Sequence, residues 1–135
     1  MRSSLRVALA LALVTLWVAG TARAQEGLTK QDRQGPVTVA ITLLAPVVGA
    51  PFKAKVALDT HSVALDGIAF EQAVLLRAPD GTDIAPTGVE QAAGSGHHRE
   101  AVLVFPPLAQ PGSVRLIVKN VGCVAERSFT WELPR

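Results

Sequence analysis

From residue 37 onward the chain breaks into short runs in which apolar and polar side chains alternate, as in strands with one buried face. Residues 37–43 (VTVAITL) follow this pattern until Pro46 interrupts it. Residues 52–59 repeat it, with Phe52, Ala54, Val56 and Leu58 inward and Lys53, Lys55 and Asp59 outward. Residues 73–77 form a shorter run. Pro79-Asp80-Gly81-Thr82 then supplies turn chemistry before a return strand at 83–85. Residues 100–105 (EAVLVF) stop at Pro106-Pro107, residues 113–119 place Val114, Leu116 and Val118 on one face, and residues 127–133 place Phe129, Trp131 and Leu133 inward. No stretch keeps a capped helical period; residues 63–74 are the one candidate for a helical turn, and Gly67 weakens it.

Six or seven strands at spacings of roughly 8–15 residues predict an all-β fold. The expected architecture is an immunoglobulin-like antiparallel β-sandwich of about seven strands, with a small Greek-key barrel as the alternative. With no Tyr and a single Cys, the chain has neither a tyrosine corner nor an internal disulfide.

The N-terminal residues obey a different grammar. Arg2 and Arg6 precede an uncharged apolar run of about 13 residues, 7–19, too short to span a bilayer comfortably, and Ala22-Arg23-Ala24 has the small-x-small form of a cleavage site. Residues 1–24 therefore read as a signal peptide, 25–35 as a flexible polar arm and 36–135 as the β-sandwich domain. No cysteine follows the apolar run, so no lipoprotein anchor is indicated. The expected location is periplasmic or secreted, with no stable membrane anchor after signal cleavage.

That processing changes the charge argument. The whole chain carries 13 Lys+Arg against 11 Asp+Glu, but Arg2, Arg6 and Arg23 belong to the leader, so the remainder is close to −1. Net charge gives no reason to expect nucleic acid or an anionic membrane as partner.

The candidate chemistry gathers in two places. His61 lies in Thr60-His61-Ser62, and His97 and His98 lie in Gly96-His97-His98-Arg99. Imidazole is a common copper and zinc ligand, so His61, His97 and His98 form a candidate Cu(II)/Zn(II) set, with Asp59, Asp66 or Glu100 assisting. Neighbouring strand residues point to opposite faces, so His97 and His98 share an ion only if the Gly94-Ser95-Gly96 segment bends. The competing reading is that these histidines are exposed or hydrogen-bond a loop, which leaves no cofactor.

Cys123, among small apolar neighbours, reads as buried and inert. The Arg99-Glu100 and Glu126-Arg127 doublets read as rim ion pairs worth at most about 1 kcal/mol, and Trp131 as core. No nucleophile elbow, phosphate loop or dinucleotide fingerprint is present. The chain is therefore expected to be no enzyme, but a binding or interaction module with an envelope protein as partner; a periplasmic metal-binding protein is the alternative.

Three segments together resemble a group of small exported bacterial β-sandwich domains without assigned activity. They are Thr60-His61-Ser62 with Leu65-Asp66, Gly96-His97-His98-Arg99, and the run Val121-Gly122-x-Val124-x-Glu126-Arg127-x-Phe129-x-Trp131. The resemblance spans about 37–133 and implies that the histidine segments belong to the domain's signature. It also implies that glycine is usual at the position of Cys123, which makes the thiol incidental.

Overall fold

A computed structural model of the chain describes residues 27–135. Among these residues nine strands form two antiparallel sheets. They are β1 (Thr29–Asp32), β2 (Val37–Leu44), β3 (Phe52–Thr60), β4 (Val74–Arg77), β5 (Asp83–Ile84), β6 (Gly88–Ser95), β7 (His98–Phe105), β8 (Gly112–Val121) and β9 (Val124–Leu133), with a helical turn, α1 (Phe70–Ala73), before β4. The first sheet has the order β1-β2-β3-β7-β6 and the second β5-β4-β8-β9. The all-β expectation holds, and the helical turn expected within 63–74 shrinks to α1, which has no side-chain cap. The signal peptide, residues 1–24, lies outside the described residues.

Alternation puts one apolar face of each sheet against the other. Val37, Val39, Ile41 and Leu43 of β2 and Phe52, Ala54, Val56 and Leu58 of β3 are buried, in register Val37 with Thr60 through Leu44 with Lys53. Val114, Leu116 and Val118 of β8 and Phe129, Trp131 and Leu133 of β9 close the core from the second sheet. Phe52 meets Phe105 edge-on at 6.2 Å between centroids, which fills the centre of one end. Burial of such side chains from water is the main stabilising term.

Two strands had no signature in the pattern. β1 (TKQD) is polar throughout and lies in the segment read as a flexible arm; here it pairs with β2 from Thr29 opposite Thr42 to Asp32 opposite Val39. Seven consecutive residues of β6, Val89 to Ser95, are exposed, and its register with β7 shifts between Glu90 and Ala93, where Gln91 has φ +50°. Neither edge strand buries an apolar face of its own, so period-2 hydrophobicity cannot mark them.

The two sheets run alongside each other, so the loops collect at two ends. One end, called here the clasp end, carries residues 33–36, 61–69, the β6–β7 turn and the β8–β9 turn. The other, the apolar end, carries residues 45–51, 78–82 and 106–111. No described helix is long and apolar enough to cross a membrane.

Candidate functional site

Both hairpin turns at the clasp end have two central residues. Gly96 has φ +65° and precedes His97, while Gly122 and Cys123 have φ +60° and +61°. Glycine first fits a type II′ turn, and two consecutive positive φ angles fit type I′, the pair that matches strand twist. Gly122 also presses on Val37: an added Cβ would fall 2.5 Å from Val37 Cγ2, leaving no room for a side chain.

The Gly96–His97 turn is a peg on which residues 60–66 hang. Thr60 N–H donates to the His97 carbonyl (3.0 Å), Leu65 N–H donates to the Gly96 carbonyl (2.9 Å), and Gly96 N–H donates to Asp66 Oδ1 (3.0 Å). Thr60 Oγ1 donates to the Pro36 carbonyl at 2.7 Å and accepts from the Ser62 and Val63 amides at 3.2 and 3.3 Å. One side chain thus joins three segments.

Two arginines complete the clasp. Arg99 Nη1 donates to the carbonyls of Leu65 (2.9 Å) and Ile68 (2.7 Å), with the guanidinium 5.0 Å from the Phe70 ring centroid. Arg127 is 1% exposed. Its Nε donates to Asp32 Oδ1 (3.1 Å), Nη1 to the Val121 carbonyl (2.6 Å), and Nη2 to the carbonyls of Gln34 (2.7 Å) and Val37 (3.1 Å). The rim ion pair expected for the Glu126-Arg127 doublet is therefore wrong. Arg127 is in phase with Phe129, Trp131 and Leu133, and Arg99 with Ala101, Leu103 and Phe105. That phase was present in the sequence: an arginine on the inward register at a strand end can reach the carbonyls of adjoining loops.

His98 and Asp59 are cross-strand partners on the outer face of the first sheet. His98 Nδ1 lies 2.5 Å from Asp59 Oδ1, and Nε2 lies 3.6 Å from Glu100 Oε2, which Lys55 Nζ also meets at 3.0 Å. The Asp59 hydrogen bond raises the His98 pKa above its ordinary value, with smaller contributions from both carboxylates' charges, while partial desolvation opposes them. The Glu100 pKa is lowered, chiefly by Lys55. The two ring nitrogens thus face different carboxylates, an ion-pair chain across β3 and β7.

His97 contributes its carbonyl to the peg and leaves its ring exposed; His61 is exposed on the neighbouring loop. Among the described residues, no group of three or more His, Cys, Asp or Glu is placed to hold a metal ion, so His61, His97 and His98 are not brought together as a ligand set. Of the assisting oxygens, Asp59 and Glu100 flank His98, and Asp66 caps Gly96. Cys123 is exposed at the tip of its turn, which corrects the expectation of a buried thiol; hairpin geometry, not the apolar neighbours, decides its position. Trp131 is core as expected, stacked with Phe129 at 6.4 Å, though its Nε1 has no hydrogen-bond partner. Beside the clasp, Gly67, Ile68, Ala69, Gln72, Lys119 and Asn120 border an open cleft of about 310 Å³.

No family model, curated protein sequence or solved structure matches the chain.

Proposed function

We propose that this chain is an exported, non-enzymatic binding module of the cell envelope, an immunoglobulin-like sandwich that presents its clasp-end loops to an envelope protein. In this reading the leader is removed and the domain works in the periplasm or outside the cell. The observation that carries it is a division of labour at one end. Thr60, Asp66, Arg99 and Arg127 spend their hydrogen bonds on loop backbone or on the neighbouring strand, while His61, His97 and Cys123 stand exposed at the tips. Loops fixed in advance lose little conformational entropy on association, which favours recognition by a rigid surface.

Photo-reactive residues placed at His61, at His97 and at Ser128, on the outer face of the second sheet, test this in the producing cell. One discrete crosslinked species at 61 and 97, absent at 128, is the expected result. The same products at all three sites, or none at any, would refute it.

A further inference from the structure

The apolar end has a composition unlike the rest of the surface. Residues 43–52 (LLAPVVGAPF) contain no polar side chain, and Leu44 and Val47 are 37% and 60% exposed. The Gly49 amide donates to the Leu108 carbonyl (3.0 Å), which joins this loop to Pro106-Pro107-Leu108-Ala109 and widens the apolar tip. An apolar projection of this kind marks an interaction site when something beside it identifies the partner.

One neighbouring feature does so, and it is cationic. Arg77 and Arg115 are directly opposite in the β4–β8 register, an arrangement that is normally repulsive. Asp83 takes up the Arg77 charge through Nε (2.7 Å) and Nη2 (2.9 Å). Arg115 has no acidic partner among the described residues. It lines an open cleft of about 190 Å³ with Arg77, Pro79, Gly81 and Ser113. The acids on this face leave Arg115 without an ion pair: Asp83 is engaged by Arg77, on which the Glu126 charge also acts, Glu126 is opposite Lys119, the Asp80 carboxylate accepts the Thr82 amide at 2.9 Å, and Glu132 is opposite Ser113.

We infer that the apolar end rests on a phospholipid bilayer, with the 44–48 loop in the interfacial region and headgroup phosphate in the Arg77–Arg115 cleft. An apolar tip beside an unpaired guanidinium matches the boundary between acyl chains and phosphate, because arginine pairs with phosphate oxygens. The contact is peripheral and needs no net positive charge; the local field of Arg115 suffices over the short distance that salt permits. Its orientation turns the clasp end away from the membrane, so it stands independently of the partner proposed there.

The natural Cys123 provides one reporter at the clasp end, and Val47→Cys in a Cys123→Ser background provides the other. Each full chain, labelled with an environment-sensitive fluorophore, is mixed with phosphatidylcholine vesicles with and without phosphatidylglycerol. The expected result is a blue shift and quenching by lipid-borne quencher at 47 and neither at 123. Arg115→Ala should weaken partition onto the anionic vesicles by about fivefold, the share of one cation at such a surface. Labels that respond equally, or a label at 47 that remains in water while the chain sediments with vesicles, would overturn the inference; the latter would mean attachment by another segment. If Val47→Cys lowers the thermal midpoint, Ala109→Cys at the same end replaces it and is read in the same way.

Discussion

Replacing Arg127 by Met separates a buried clasp from a surface ion pair. Met fills similar volume without a cavity, so the loss is almost wholly polar. It strips the Asp32 carboxylate of its guanidinium partner and leaves the carbonyls of Val121, Gln34 and Val37 without the donors they now have. The Arg127 side chain is 0% exposed and that of Asp32 18%, so water replaces these bonds poorly. Removing one member of a buried pair costs about 3–5 kcal/mol. A domain of this size has roughly 5–15 kcal/mol of stability in total, so Arg127→Met should consume about a fifth of it or more. Arg127→Lys should recover only part, because one ammonium cannot fan out to four acceptors. Urea unfolding followed by far-UV circular dichroism measures the difference, with the slope against denaturant unchanged if the native fold is retained. A loss under about 1 kcal/mol would refute the reasoning, since an exposed ion pair costs no more.

Cys123 sits at φ +61°, where an L side chain is strained, so Cys123→Gly should raise stability by about 0.5–1 kcal/mol; a lowered thermal midpoint would count against it. Because the folded His98 pKa lies above the ordinary 6.5, the His98–Asp59 pair contributes fully below 6.5 and fades as pH rises through the folded value. The urea midpoint should therefore fall across that window by an amount worth under about 1 kcal/mol, given an exposed pair, and His98→Ala should flatten the dependence. Asp66→Ala removes the acceptor for Gly96 N–H and should cost about 1 kcal/mol, with faster hydrogen exchange at Gly96 and Leu65 than in the β8–β9 hairpin. Titration with Cu(II) or Zn(II) should give the same heat for the native protein and a His97→Ala/His98→Ala variant; stoichiometric binding lost in the variant would restore the metal reading.

The strands that bury one face were legible, inside a sheet (β2, β3, β8) or at its edge (β9), because the penalty for exposing that face writes period-2 alternation into 37–43, 52–59, 113–119 and 127–133. The same rule placed Trp131 in the core and put Asp59 on an outward position. Asp59 and His98, 39 residues apart in the chain, meet because β3 and β7 pair in one register, and no local pattern encodes that register. β1 and β6 were illegible because neither buries an apolar face; both are held by backbone hydrogen bonds, which every sequence can make. Arg99 and Arg127 carried a readable sign, their inward phase. The carbonyls that justify it come from loops up to 93 residues distant, so only the closed sandwich shows why two cations lie there. The alternating runs by themselves determined that the chain would be sheet. Which loops share an end, which charges are buried, and which tip reaches water were decided by long-range pairing, since burial belongs to the assembled layers and not to any segment alone.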